Sequence, residues 1–531
     1  MEEILEKFTN KNVLLICTET YSWPMHYIAQ VLNNSCSSIT CLFMQPGEAY
    51  LKNPEYMHFS NLNKHITIKS MEAVVEEYLE KCKYPEKYID KNYIDRIEKY
   101  YTTHSLLNTQ FHSEMTLISY MHDRAYYKDL RQSELLLYAQ IYYKWMEHLF
   151  ESNRFDVILD CDTASFGRSV LLEISTFNKI PYLNLDDGRI KNFNIPTINL
   201  YKAVSSTIRL TFEEAKENPN TSNSLMLKNL LQKIKEEKRK APDRYSQQIF
   251  KKRFNLVRLT KSLILANITF FKYLTFKRVW LNFAQKINAP ICGDILLIFF
   301  DIYKSYYRNL YLRYSGIFER PDLKLLNYIF VPLHVIPEAS TIVLAPYHIN
   351  EIYIIESLSK SIDAGKYIVV KEHWGMLGER PIAFYKRIKK IPNVILVDPQ
   401  MHESSVEYIE NCDLVATISG TSALEAAFIG KNSIIFSDVL FGVLSSVQRV
   451  YIDEDLPRKI KKQISYVMPD QELLAYLAML VKWGETVDLN MLMVWPVNQG
   501  LTHEIKVNTL KLLHIYTKGL DLFECDKNII S

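Results

Sequence analysis

Glycine is scarce, with 14 in 531 residues, and no GxGxxG follows the first apolar run. That removes the usual fingerprint of a dinucleotide-binding βαβ unit from the N-terminal end. The eight cysteines form no CxxC and no zinc-like spacing, so no redox pair or metal knot is expected. Cys17, Cys41 and Cys161 lie in or beside apolar runs, as buried thiols do in a reducing cytosol. No stretch reaches the about eighteen uninterrupted apolar residues of a membrane span, and Ile295 to Phe300 is cut at Asp301. The acidic start, Met1-Glu-Glu-Ile-Leu-Glu-Lys, has no apolar signal core. A cytoplasmic protein is expected, at most peripheral on the inner face of the cell membrane. With a net charge of only +3, no global field points to nucleic acid. Internal repeats are absent, and the chain is too long for one ordinary core.

What is present is organised around residues 327–436. Tyr328–Val331, Tyr367–Val370, Val394–Val397, Leu414–Ile418 and Ser433–Phe436 are short apolar runs rich in β-branched residues. Helical patterns separate most of them, which predicts a parallel sheet with crossover helices. Ligands of such sheets sit beyond the carboxyl ends of the strands, where strand order reverses. Polar residues gather at those ends: His334 and Glu338, Lys371-Glu372-His373, Asp398, and Ser419-Gly420-Thr421-Ser422. This half reads as a nucleotide-binding domain.

At Ser419–Ala426 a strand runs into a small-residue turn and then a helix. N–H groups at a helix start, with hydroxyls beside them, suit a phosphate, and Glu425 is one turn in, within reach of a ribose. Ser422-x-x-Glu425 also reads as a capping box. In Lys371-Glu372-His373, an amine and a protonated imidazole suit a phosphate leaving group.

The first half opens with a strand over Asn12–Cys17, a loop, a helix through His26, and a strand over Ser38–Phe43. Glu19 and His26 are expected to face an interdomain cleft. Met71 to Phe150 is helical, with four histidines at 104, 112, 122 and 148 that lack metal-ligand spacing. Asp156–Leu159 predicts a strand ending in Asp160 and Asp162. A further strand, Tyr182–Leu185, ends in Asp186-Asp187-Gly188-Arg189. Glycosyl chemistry needs a carboxylate as base or nucleophile, so Asp160 or Asp162 is a candidate; helix capping and a turn are the structural alternatives.

Glu217 to Tyr245 is polar and reads as a boundary. From Lys228 to Trp280 fifteen Lys or Arg face three Asp or Glu, and aromatic residues are interleaved as far as Phe318. Such helices lie on anionic membranes or pack with solvated lysines. The expected organisation is residues 1–216 as an N-terminal Rossmann-like domain, 217–320 as a basic helical insertion, 321–500 as the nucleotide-binding domain, and 501–531 as a helix bracing the first domain.

Pro332-Leu333-His334-x-x-Pro337-Glu338-Ala339-Ser340, Lys371-Glu372-His373-x-x-Met376-x-Gly378-x-Arg380-Pro381 and Ser419-Gly420-Thr421-x-x-x-Glu425-Ala426 resemble the capsular polysaccharide biosynthesis family, which includes β-Kdo transferases. The resemblance is strong from about Tyr328 to Val450. Before residue 200 it is confined to Trp23-x-x-His26, Phe166-Gly167-Arg168 and Arg189-Ile190. It implies a GT-B glycosyltransferase, an α/β protein with two Rossmann-like domains and the reaction in the cleft, residues 1–216 on the acceptor side and 321–500 on the nucleotide-sugar side. It also implies a nucleotide-sugar co-substrate, such as a CMP-linked keto-sugar acid (Kdo or a nonulosonic acid), a glycan or glycolipid acceptor, and no obligatory metal or other cofactor. Trp374 stands where proline would follow the histidine in related CMP-sugar enzymes. On this reading Lys371, Glu372, His373, Ser419, Gly420, Thr421, Ser422 and Glu425 hold the donor nucleotide. His334, Glu338, Glu19, His26 and Arg189 line the sugar and acceptor side, and Asp160, Asp162 and His373 carry the chemistry. A UDP-GlcNAc-type epimerase or a non-catalytic capsule assembly factor are the alternative readings.

Overall fold

The computed structural model describes residues 2–44, 66–116, 130–163, 166–190, 192–218, 225–238, 295–401, 404–451, 453–493 and 502–530, with isolated helical positions between 257 and 271. Thirteen strands are present among them, in two sheets.

The first sheet holds β1 (Asn12–Cys17), β2 (Ser38–Phe43), β3 (Ile66–Ser70), β4 (Val157–Leu159), β5 (Tyr182–Asp187) and β6 (Phe193–Thr197), joined by β13 (Glu485–Thr486). Its order is β13-β6-β5-β4-β1-β2-β3, parallel from β3 to β5 and antiparallel at β6 and β13. Val13 to Cys17 are all buried, because helices cover both faces of a parallel sheet. One face packs on the helices Gln132–Ser152 and Phe166–Phe177, the other on Ser22–Leu32 and the long C-terminal helix His503–Ile530. Tyr516 of that helix donates its hydroxyl to the Asp160 carbonyl at 2.7 Å, tying the chain's last helix to the end of β4. β6 escapes a sequence reading because Pro196 lies in it. That proline sits past the two residues β13 covers, where its missing N–H removes no bond to that neighbour. Residues 485–486, inside the span expected for the second domain, thus complete the first sheet.

The second sheet contains β7 (Tyr328–Pro332), β8 (Tyr367–Lys371), β9 (Val394–Val397), β10 (Leu414–Thr417), β11 (Ser433–Ile435) and β12 (Val447–Arg449), all parallel in the order β12-β11-β10-β7-β8-β9. Counted along the chain this is 3-2-1-4-5-6, the doubly wound arrangement. Strand order reverses between β7 and β10 here, and between β1 and β4 in the first sheet. The chain is therefore α/β with two Rossmann-like domains, the GT-B arrangement.

The two halves touch directly. Leu107, Phe111 and Met115 share one apolar cluster with Ile336, Ile342, Val343 and Ile349. The helix Asp470–Trp483 lies on Ser206–Glu217, with Trp483 Nε1 donating to Thr211 Oγ1 at 3.0 Å. Of the basic stretch 228–318, residues 239–256 and 272–294 lie outside the described residues, so its membrane-surface expectation falls largely outside them. No helix of the described residues is long and apolar enough to cross a membrane.

Candidate functional site

At the reversal point of the second sheet, β7 runs into His334 and β10 into Ser419. The His334 ring joins the two ends: its Nε2 accepts from the Thr417 hydroxyl at 2.9 Å and the Ser419 N–H at 3.3 Å. Its Nδ1 stands 3.4 Å from Glu351 Oε1, which also accepts the His334 N–H at 2.7 Å. Both ring nitrogens are engaged within the protein, so His334 positions the Ser419 turn; the expected place for it against the donor sugar is corrected. Thr417 Oγ1 in turn accepts the Gly420 N–H at 3.1 Å.

A Cβ on Gly420 would lie 2.6 Å from Thr417 Oγ1 and 3.3 Å from His334 Nε2. Gly420→Ala is therefore expected to cost about 1–3 kcal/mol through local overpacking. Denaturant midpoints and nucleotide binding, measured side by side, check this; an unchanged pair would contradict it.

Beneath this turn Arg380 is fully buried between two carboxylates, 2.5 Å from Glu351 Oε2 and 2.9 Å from Glu372 Oε2, and donates to the His334 carbonyl at 2.6 Å. Glu372 Oε1 accepts the His373 N–H at 2.6 Å and Oε2 accepts the Tyr385 hydroxyl at 2.8 Å. Glu372 is thus committed to the scaffold, and its expected contact with the donor is corrected to holding His373 and Arg380. One guanidinium neutralises only one of its two partners. Burial favours the neutral acid at both, but Arg380 and His334 outweigh it at Glu351 and hold that carboxyl down to about 2. At Glu372 burial wins and pushes the carboxyl up to about 7. Between about pH 4.3, the unfolded glutamate value, and 7 the folded chain keeps a proton that the unfolded chain releases. Stability is therefore expected to fall as pH rises through that window. In Glu372→Gln that contribution should vanish, as read from urea midpoints at pH 5 and 7; an unchanged slope would contradict the assignment.

His373 follows β8, and its Nδ1 accepts the Gly375 N–H at 3.0 Å. The ring edge reaches the surface. Burial of the rest, then the neighbouring His334 and the charge of Arg380, push its pKa down to about 4. The imidazole is consequently neutral at pH 7, with the hydrogen on Nε2. It offers a neutral donor, in place of the protonated histidine expected from the triplet.

Lys371 ends β8 and is only 4% exposed. Its Nζ sits over the rings of Trp374 (5.2 Å) and Tyr408 (4.8 Å) and makes no hydrogen bond or ion pair with any described residue. Ser419 Oγ is likewise buried without a hydrogen-bond partner. Thr421 precedes the helix Ser422–Phe428 in right-handed geometry, with no side-chain cap. Ser422 is already inside the helix, so the expected capping box does not form. Glu425 is half-buried one turn in, and its charge acts on Lys371.

The first sheet has a parallel device at its own reversal point. Arg168 is buried, with Nε 2.7 Å from Asp160 Oδ2 and Nη1 3.2 Å from Asp162 Oδ2, and it also bonds the Thr18 hydroxyl. Asp160 is fully buried; Oδ2 takes the Tyr182 hydroxyl at 2.7 Å as well, and Oδ1 takes the Cys161 N–H at 2.8 Å. Both oxygens of Asp160 are thus committed within the protein. Asp162 is the open member of the pair: its side chain is 26% exposed and touches the same guanidinium. Burial alone would lower the Arg168 pKa, but the two aspartates outweigh it and raise it.

His26 is buried in the helix Ser22–Leu32, edge-on to Trp23 and Tyr27. This packing corrects its placement on a cleft wall. Glu19 falls in the turn Glu19–Tyr21, and its side chain lies outside the described residues. Arg189 lies in the left-handed region (φ 57°), its N–H bonded to Asp187 Oδ1 at 2.8 Å. It lines a cavity of about 60 Å³ between the two halves, with Thr163, Asp186, Asn199 and Ser340. Glu338 is exposed beside that wall and accepts from the Ser340 hydroxyl at 3.1 Å. Asp186 belongs to the second carboxylate pair read at a strand end in the sequence; burial, then Asp187 and Asp438 against Arg189, push its carboxyl up to about 6. Among the described residues no group of three His, Cys, Asp or Glu stands together as metal ligands.

No family model matches the chain, and no curated protein does. Among solved structures, it is similar to the β-Kdo 2,7 transferase of Thermosulfurimonas dismutans KpsC, with 15% identity, 63% of this chain and 79% of that one covered, and a TM-score of 0.28. The β-Kdo 2,4 transferase of the same protein gives 12%, 67%, 87% and 0.33. UDP-GlcNAc 2-epimerase from Neisseria meningitidis bound to UDP-GlcNAc gives 12%, 89%, 98% and 0.27. At such identities and TM-scores the fold rests on the strand order itself.

Proposed function

We propose that this chain is a GT-B glycosyltransferase that moves a sugar from a nucleotide donor onto a surface-polysaccharide or glycolipid acceptor. The motif resemblance between Tyr328 and Val450 favours a CMP-linked keto-sugar acid, such as Kdo or a nonulosonic acid, as donor. One observation carries the reading. The ends of β7, β8 and β10 are locked together by buried bonds, yet the Lys371 ammonium and the Ser419 hydroxyl inside that framework make no hydrogen bond with any described residue. Buried polar groups are normally satisfied, and a site built to receive a ligand is where they are left open.

In this reading the donor lies over Ser419, Gly420, Thr421 and Ser422, with Glu425 toward the ribose and His373 Nε2–H toward the leaving phosphate. Neutral donors placed before the reaction stabilise charge that develops on the leaving group. Asp162, oriented by Arg168, serves as nucleophile or base across the cleft, with Arg189 toward the acceptor and Glu338 toward the donor sugar. The basic stretch 228–318 is proposed to meet an anionic membrane surface carrying that acceptor.

A thermal-shift screen with CMP, UMP, UDP and GDP tests the nucleotide reading. A ligand present at a hundred times its dissociation constant adds about 2.7 kcal/mol to stability, so CMP should raise the midpoint by several degrees. No shift with any nucleotide would sink the proposal. Conversion of UDP-GlcNAc to an epimer without acceptor would replace it with the epimerase reading.

A further inference from the structure

We propose that the Lys371 ammonium, held between Trp374 and Tyr408, is the anion anchor of the donor pocket, taking the phosphate of a nucleoside phosphate and making donor binding dependent on pH. This rests on the nucleotide reading above and adds where the charge is met and how it is controlled.

A count of cations around the pocket points to this lysine. Arg380 is closed in by Glu351 and Glu372, and the His334 ring has both nitrogens bonded. His373 is neutral. Among the described residues Lys371 remains, at the end of β8 beside the reversal point, with ring faces below it and no described carboxylate in contact. Aromatic faces stabilise an ammonium only weakly, less than a phosphate in hydrogen-bond contact would. The charged groups facing it are Glu407 from the helix Val406–Asn411 and Glu425 from the helix Ser422–Phe428, with His373 on its own strand end.

Burial lowers the Lys371 pKa to about 8, against the opposing pull of Glu407 and Glu425. A bound phosphate favours the charged amine and raises the pKa again. The phosphate's own second ionisation lies near 6, so above pH 7 the lysine is the group that titrates on binding. Affinity is therefore greatest near pH 7, is about halved at pH 8 and falls up to tenfold per pH unit above it, and near pH 8 binding takes up about half a proton.

Isothermal titration calorimetry with CMP, UMP, cytidine and uridine, at pH 7, 8 and 9 in two buffers of different ionisation heat, tests this. Wild type should take up about half a proton per nucleotide at pH 8, and inorganic phosphate should compete. Lys371→Met should lose about thirtyfold or more in affinity for the monophosphates, keep its affinity for the nucleosides, and ignore inorganic phosphate. Lys371→Arg should retain binding with no pH dependence from 7 to 9. Equal monophosphate affinity in Lys371→Met and wild type overturns the anchor while leaving the nucleotide reading in place. So does an equal loss of nucleosides and monophosphates, which would mark a base contact or a structural role. A wild type that binds none of the four removes both.

Discussion

Arg380→Met is expected to lower the unfolding free energy by about 3–5 kcal/mol, the usual result of stripping one partner from a buried ion pair. Glu351 and Glu372 would be left facing each other in the interior, and the His334 carbonyl would lose its donor. The damage should not stop at stability. Glu372 holds the His373 N–H and Glu351 holds the His334 N–H and ring, so both walls of the donor pocket loosen together. Nucleotide binding should therefore be lost even where the variant stays folded. The triple variant Arg380→Met, Glu351→Leu, Glu372→Leu removes the stranded charges and should recover most of the stability but none of the binding. Chemical denaturation with nucleotide titration reads both. A single variant with wild-type midpoint would contradict the network.

The second large effect separates two neighbouring aspartates. Asp162→Asn is expected to keep a near-normal unfolding midpoint, since its side chain is partly exposed, while transfer and donor hydrolysis drop by about a thousandfold or more. Asp160→Asn should behave in the opposite sense. It breaks a buried carboxylate that binds Arg168 and Tyr182, so stability falls by about 3–5 kcal/mol, and activity falls with the folded fraction. Rates divided by folded fraction distinguish the two. Activity in Asp162→Asn comparable to wild type would remove that residue from the chemistry.

These two residues also show what could and could not be read in advance. Strands were legible where a mostly apolar, buried run ended in polar residues, as at Tyr328–Pro332 or Leu414–Thr417; β3 (Ile66–Ser70), only partly buried at the sheet edge, escapes such a reading. β13 is two residues long and β6 contains Pro196, so neither carries a period-two signal strong enough to stand out. Strand ends placed the polar groups correctly in the chain but could not divide their labour. Asp160 and Asp162 look alike in sequence, and only the return of Arg168 and Tyr182 beneath β4 closes off the first. His334 reads as a substrate group because Glu351, seventeen residues later, comes back under it only after a loop and a helix start. Arg380 stands in a motif, yet nothing in its spacing announces that it joins two strand ends. Burial and long-range ion pairing are set by tertiary packing, which periodicity does not encode.

The central claim is that the ends of β7, β8 and β10 form one donor pocket. A crystal structure with CMP bound tests it most directly. The account predicts the phosphate between Lys371 Nζ and the Ser419–Ser422 turn, within hydrogen-bond distance of His373 Nε2, with the ribose toward Glu425. A nucleotide seated instead at the end of the first sheet, or a phosphate that leaves Lys371 without a partner, would contradict it.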